Sequence, residues 1–181
     1  RDVGAQVVWC DGCEADDTIA FLARNLTDER VIIASEDGDM SALIDERVGL
    51  WKGSRLVTDN PYGPFPTKYV TLWKATVGDS SDKIKGAPGF GPQALMAFFV
   101  WADVGGLAAL EGMIKRNTLH ELEDDVAEFK PLRKLIDGAQ SVYDSYFVAT
   151  LHSEWVDTER CPLQVKPGKR LPHDQISDDR L

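Results

Sequence analysis

A short β-branched run followed at once by an acidic helical stretch, and then the same order again, restricts this chain more than any other feature. Gln6–Cys10 (QVVWC) has the length and branching of a buried strand, and Asp11-Gly12 ends it. Glu14–Leu26 follows as an amphipathic helix, with Ala15, Ile19, Leu22, Ala23 and Leu26 at helical spacing. Val31–Ser35 (VIIAS) is a second apolar strand, followed by Glu36-Asp37-Gly38-Asp39 and a short helix through Ile44. Gly49–Lys52 reads as a further strand. Strands alternating with helices predict an α/β fold built on a mostly parallel sheet flanked by helices. Such sheets carry functional groups beyond the carboxyl ends of their strands. Glu14, Asp16 and Asp17 follow the first strand here, and Asp37 and Asp39 the second.

The turn cluster Asn60-Pro61-Tyr62-Gly63-Pro64 is the clearest internal boundary, and the chain beyond it is mainly helical. Thr67–Val77 places Val70, Trp73 and Val77 on one face, Pro92 opens Gln93–Trp101, and further helices are expected within Leu107–Lys115 and Leu119–Phe147. From Glu154 onward Pro, Lys and Asp dominate, predicting a weak strand and a loose tail. The expected organisation is an α/β part over 1–62, a helical part over 63–153 and an extension over 154–181. Apolar runs such as Ala94–Ala102 are too short to span a bilayer, so no membrane partner is expected. Three cysteines make no even disulfide framework, which points to a reducing cytoplasm. Cys10 and Cys13 form a C-x-x-C pair, but only Cys161 remains to join them, so these 181 residues cannot complete a four-thiolate zinc site.

Three acidic motifs stand out: Glu14-Ala15-Asp16-Asp17, Asp37-Gly38-Asp39 and Asp79-Ser80-Ser81-Asp82. Singly, each has an ordinary reading, because carboxylates near a helix start favour the macrodipole and cap free amides. An EF-hand at Asp37 fails, since Ala42 stands where the loop needs Gly and Val48 where it needs Glu. Together they demand cations if they converge, because like charges about 4 Å apart repel by ~4 kcal/mol at an effective dielectric of 20. Hard oxygen donors without nearby His or Cys favour Mg²⁺ or Mn²⁺, and two such ions suit phosphodiester displacement by water with no side-chain nucleophile. The net charge of −10 does not exclude nucleic acid, because these seven carboxylates account for most of it and about −3 remains without them.

Between the Thr67–Val77 helix and the helix opened by Pro92 lies Lys83–Pro92 (KIKGAPGFGP), with glycines at 86, 89 and 91. A Gly-hydrophobic-Gly turn between helices lets backbone N–H groups approach a phosphate, aided by the following helix N-terminus. The series Glu14–Asp17, Glu36–Met40 and Gly78–Gly91 is similar, in order, spacing and flanking strands, to the motif series of the 5′-nuclease or flap-endonuclease family. That family comprises the 5′-nuclease domain of bacterial DNA polymerase I and the phage 5′–3′ exonucleases, and the resemblance covers about Val7–Trp101.

The resemblance implies a PIN-like 5′-nuclease fold with a helix–hairpin–helix (helix–three-turn–helix) DNA-binding part. Glu14, Asp16, Asp17 and Asp37 would serve a first metal ion, and Asp37, Asp39, Asp79 and Asp82 a second. Lys83, Lys85, Gly86, Gly89, Phe90 and Gly91 would form the DNA-binding turn, with a monovalent cation such as K⁺ beside it. The implied substrate is DNA with a 5′ end, flap or nick. Relatives place a strand bearing a metal-binding Asp, and a basic arch, ahead of the Glu-Ala-Asp-Asp motif. Only thirteen residues precede Glu14 here. The expectation is an N-terminally truncated member whose missing segment, or a partner chain, completes the sheet. Two other readings stand beside it: a non-catalytic DNA-structure-binding remnant, and a metal phosphohydrolase acting on small molecules.

Overall fold

The computed structural model describes residues 5–167, which form two compact units. The first joins the two ends of the chain, up to Thr27 and from His152. In it β1 (Gln6–Cys10) pairs antiparallel with β5 (Leu163–Pro167), Cys10 lying opposite Leu163. Helix α1 (Ala15–Asn25) packs on β1 and on a short 3₁₀ turn, Ser153–Trp155. Ala20 and Ala23 form its buried stripe, and the Arg24 guanidinium hydrogen-bonds to the Ser153 hydroxyl.

The second unit, Asp28–Leu151, holds β2 (Val31–Ala34), β3 (Val48–Lys52) and β4 (Arg55–Val57) in one sheet. Strands β2 and β3 are parallel, joined through a 3₁₀ segment at Asp39–Leu43, whereas β4 returns antiparallel through Gly53 at φ +62°. The mostly parallel sheet expected from the sequence is therefore corrected to two small sheets, one antiparallel and one mixed. A two-residue turn after Lys52 can only produce an antiparallel neighbour, and β1 finds its partner at the far end of the chain, where no local pattern reports it. On the face where Gly49 lacks a side chain, Ile32 and Leu56 are half exposed.

The rest of the second unit is helical: α2 (Val70–Val77), α3 (Pro92–Arg116), a 3₁₀ stretch at Leu119–Ala127, α4 (Leu132–Asp137) and α5 (Ala139–Ala149). Leu72, Phe90, Leu95, Leu107, Leu132 and Val142 are among the buried residues of their common core. By length and composition α3 is apolar enough to cross a membrane, which the sequence reading of short runs did not foresee. Its backbone breaks at Asp103 (φ 56°, ψ −161°), whose carboxylate accepts the Gly105 N–H at 2.6 Å and restarts the helix. Leu95, Phe98, Leu107, Leu110 and Ile114 are buried in the core on either side of the break. The units cut across the sequence boundary near 62, because the β2–β4 sheet belongs with the helices, and divide again after Leu151, beyond which the last described strand joins the first.

The turn between α2 and α3 is locked by close packing. Gly78 ends α2 at φ +91°, and an Asp79–Ile84 bridge closes the loop with N···O distances of 2.9 and 2.8 Å. Gly86, at φ +64°, approaches so closely that an added Cβ would lie 2.5 Å from the Gly78 nitrogen. We expect Gly86→Ala to destabilise the protein by about 3 kcal/mol or more, through strain and overlap together. Gly53→Ala shares the left-handed φ but meets nothing within 4 Å, and should cost about 1 kcal/mol. Urea midpoints of the two variants check the ranking.

Candidate metal centre and phosphate-facing turn

Two local devices bring acidic side chains of the second unit together. After β2, the Ser35 hydroxyl accepts the Asp37 N–H at 3.0 Å, and Asp37 Oδ1 accepts the Asp39 N–H at 2.9 Å. This winds Asp37–Asp39 into the start of a 3₁₀ turn with Asp39 facing α2. Glu36 serves elsewhere, accepting the Gly53 N–H at 2.7 Å. After α2, Gly78 reverses the chain so that Asp79 and Asp82 return along the helix they have just left.

They meet on Lys74. Its ammonium, buried to 2% exposure, pairs with Asp39, with Asp79 Oδ2 at 2.9 Å and with Asp82 Oδ2 at 2.8 Å. The other Asp79 oxygen accepts both the N–H and the hydroxyl of Ser81. Asp39, Asp79 and Asp82, three of the carboxylates expected from the sequence, thus surround a single cation, and Asp37 stands beside Asp39, whose N–H it accepts. The sequence does not single out Lys74.

The electrostatics follow from this crowding. Burial opposes the charge on Lys74, but hydrogen bonds to Asp39, Asp82 and Asp79 outweigh it and hold the ammonium above the ordinary lysine range. Burial also works against the Asp79 carboxylate, yet the bonds from Ser81 and Lys74 prevail and bring it down to about 2. Asp39 moves the other way despite sharing the same lysine: burial lifts its carboxyl, and the charges of Asp82 and Asp37 add to the rise. Tyr62, from the turn cluster, packs against Trp73 with ring centres 4.4 Å apart and planes tilted by 33°. Its hydroxyl comes so near Gly38 that a Cβ there would lie at 2.8 Å. Burial raises the phenol above its usual value, and Lys74, Asp79, Asp39 and Asp82 are the charges it feels. Tyr62 was legible only as a turn residue.

Glu14, Asp16 and Asp17 belong to the first unit. Glu14 is the exposed N-cap residue of α1 and makes no side-chain cap bond, while Asp16 and Asp17 occupy the first turn, where the helix dipole favours them. Asp17 is buried, and its Oδ1 accepts the His152 N–H at 2.6 Å.

In the turn, Lys83 (φ 59°) and Lys85 are exposed and line a cavity with Ser141 and Asp144. Gly86 donates its N–H to the Ser145 hydroxyl at 3.1 Å and accepts from Ser141 at 2.7 Å, and the Phe90 ring lies in the core. These two residues shape the turn from within. Gly89 (φ +77°) is exposed and Gly91 partly so, and their amides have no hydrogen-bond partner among the described residues. The Gly89 carbonyl accepts the exposed Lys134 ammonium at 2.7 Å. Lys134 went unnoticed in the sequence because Leu-Arg-Lys-Leu reads as an ordinary solvated helix face.

Carboxylates of Asp39, Asp79 and Asp82 thus meet on one ammonium, next in the chain to a glycine turn that carries the exposed Lys83 and Lys85. The comparisons agree with the motif series. The family model for the 5′-3′ exonuclease, N-terminal resolvase-like domain, matches residues 1–69. The chain is 31% identical to DNA polymerase I of Pseudomonas aeruginosa over 85% of its own length and 17% of the relative. It is 32% identical to a 5′-3′ exonuclease of Halalkalibacterium halodurans over 85% of its length and 51% of that protein. It is also 33% identical to flap endonuclease Xni of Photobacterium profundum over 52% of its length and 40% of that protein. The chain belongs to the 5′-nuclease family. It spans about half or less of the length of these relatives.

Two outcomes test the electrostatics. Lys74→Met leaves three carboxylates facing one another, and in chelator should lose about 3 kcal/mol of stability, as when one partner of a buried pair is removed. Added Mn²⁺ should restore the melting temperature of the variant more than it raises that of the parent. Asp79, lowered from 3.8 to about 2, contributes stability that is fully present above its unfolded value and is lost as pH falls toward 2. Asp79→Asn should therefore flatten the stability–pH curve in that window, read by urea unfolding at stepped pH.

Proposed function

We propose that this chain carries the catalytic part of a structure-specific 5′–3′ exonuclease or flap endonuclease, hydrolysing DNA phosphodiesters near 5′ ends, nicks or flaps with two divalent metal ions. The observation that supports this most is the convergence of Asp39, Asp79 and Asp82 on one cationic centre. Carboxylate oxygens without a histidine or cysteine among them suit Mg²⁺ or Mn²⁺. Asp37, Asp39, Asp79 and Asp82 would hold one ion, and Glu14, Asp16 and Asp17 are proposed as ligands of the other. When bound, such ions supply an activated water and Lewis-acid stabilisation of the leaving oxygen.

The chain's own residues prepare that chemistry. Asp79, held ionised by Ser81 and Lys74, stays a ligand across the neutral range. Lys74 offsets the repulsion among the carboxylates and fixes their directions. The amides of Gly89 and Gly91, in a helix–hairpin–helix arrangement, would receive a backbone phosphate, with Lys83, Lys85 and Lys134 adding charge. A monovalent cation such as K⁺ would sit beside this turn, where the Gly89 carbonyl accepts the Lys134 ammonium. Contacts of this kind read the backbone and not the bases.

One observation favours the binding-only reading: Lys74 already bridges the three carboxylates and offsets one of their charges, so they are held together without a metal. Cleavage separates the two. We expect Mg²⁺- or Mn²⁺-dependent cutting of a 5′-flap duplex that falls at least about 100-fold in Asp82→Asn, since even outer partners of a metal are worth up to that much. Binding without metal-dependent cutting, or equal cutting by Asp82→Asn, would overturn the catalytic reading. For the turn, Gly91→Ala adds a Cβ where nothing lies within 4 Å, so stability should hold. Affinity for unrelated duplexes should nonetheless fall several-fold together, measured by fluorescence anisotropy at fixed salt.

A further inference from the structure

The three cysteines of the chain, far apart in sequence, meet in the first unit. The sulfurs of Cys10, Cys13 and Cys161 all lie within 4.8 Å of one another. Strand pairing brings them there: Cys10 ends β1 opposite Leu163 of β5, two residues beyond Cys161. Gly12 turns the C-x-x-C segment at φ +87°, and a Cβ on it would lie 3.7 Å from the Cys161 sulfur. The Cys13 N–H bonds back to the Cys10 carbonyl at 3.3 Å, and the Cys10 thiol donates to the Cys161 carbonyl at 2.8 Å. Just ahead of β5, reciprocal bonds between Thr158 and Cys161 at 3.3 and 3.2 Å set the turn that presents Cys161. Two independent tight turns therefore aim thiols at one point.

We infer that Cys10, Cys13 and Cys161 bind one soft divalent cation of the zinc class through three sulfurs, leaving a fourth coordination position to water or an exogenous donor. The spacing suits this reading. Sulfurs each about 2.3 Å from a tetrahedral ion stand nearly 4 Å apart, within the separation found here. A disulfide would join only two of the three and leave the convergence of the third without a use. Cys10 is buried, whereas Cys13 and Cys161 are only partly covered, and Cys161 lines an open cavity with Trp155 and Thr158. That opening gives the fourth position access to solvent. Binding converts the three thiols to thiolates and releases three protons, with no change of oxidation state.

Such an ion would act as a clamp. It would join residues 151 positions apart and hold β1 and β5 in register at the end where α1 begins. Cys13 immediately precedes Glu14, so the same ion would fix the entry of the helix bearing Asp16 and Asp17.

Co²⁺ tests this, because thiolate–cobalt charge transfer reports sulfur ligation and nothing else. The full chain, kept reduced with a phosphine and in excess Mg²⁺ to occupy its carboxylates, is titrated with Co²⁺. One equivalent should develop a near-ultraviolet charge-transfer band with tetrahedral visible absorption, and Zn²⁺ should displace it. Cys161→Ser and Cys13→Ser, both at partly exposed positions and checked for folding by circular dichroism, should each lower Co²⁺ affinity beyond the roughly 10–100-fold typical of losing an outer partner. Zn²⁺ should raise the melting temperature of the parent and not of either variant. Absence of the charge-transfer band in the reduced parent, or a band unchanged in both variants, overturns the proposal.

Discussion

The candidate site of this protein depends on one buried lysine. Lys74 points from α2 into a space where three carboxylates from two separate chain reversals converge. Without a cation there, Asp39, Asp79 and Asp82 would repel one another by several kcal/mol, at ~4 kcal/mol per close pair for an effective dielectric of 20. With it, the reversal after β2 and the reversal after α2 are drawn to one point. The Gly78 turn, the Asp79–Ile84 bridge and the close seating of Gly86 then hold the acidic loop and the glycine turn as one piece. The arrangement contributes more to position than to stability, since buried ion pairs roughly balance their desolvation.

Much of this was legible in the sequence, for reasons that can be named. The acidic motifs and the Gly-rich turn are local patterns, so Asp37, Asp39, Asp79 and Asp82 could be singled out before any fold was known, although spacing alone does not make them converge. The helix starting at Pro92 and the break between Trp101 and Leu107 were readable from proline placement and apolar spacing. Lys74, Tyr62 and Lys134 were not. A lysine in a helix normally faces water, and only the tertiary path of the Asp79–Asp82 loop makes Lys74 an interior charge. Tyr62 belongs to a Pro/Gly turn, and its role comes from Trp73 and Gly38, which that turn brings near.

The sheet was the poorest guide. Alternating strands and helices implied parallel pairing, and β2 with β3 obeys. The pairing of β1 with β5 links residues more than 150 positions apart, and no periodicity in either strand encodes that partner. The same long-range pairing assembles the three cysteines, which in sequence amounted to one C-x-x-C pair and a distant third. Local chemistry can therefore be read from spacing, whereas chemistry assembled by strand pairing becomes visible only with the fold.

We propose that the carboxylates gathered on Lys74 bind a hard divalent cation. Paramagnetic broadening by Mn²⁺ tests it without reference to activity. In a heteronuclear amide spectrum of the full chain, substoichiometric Mn²⁺ should broaden the resonances of Asp39 and of Asp79–Asp82 first, with excess Mg²⁺ restoring them. If those amides stay sharp while others broaden, or if Mg²⁺ fails to compete, the centre is a closed ion-pair cluster and not a metal site.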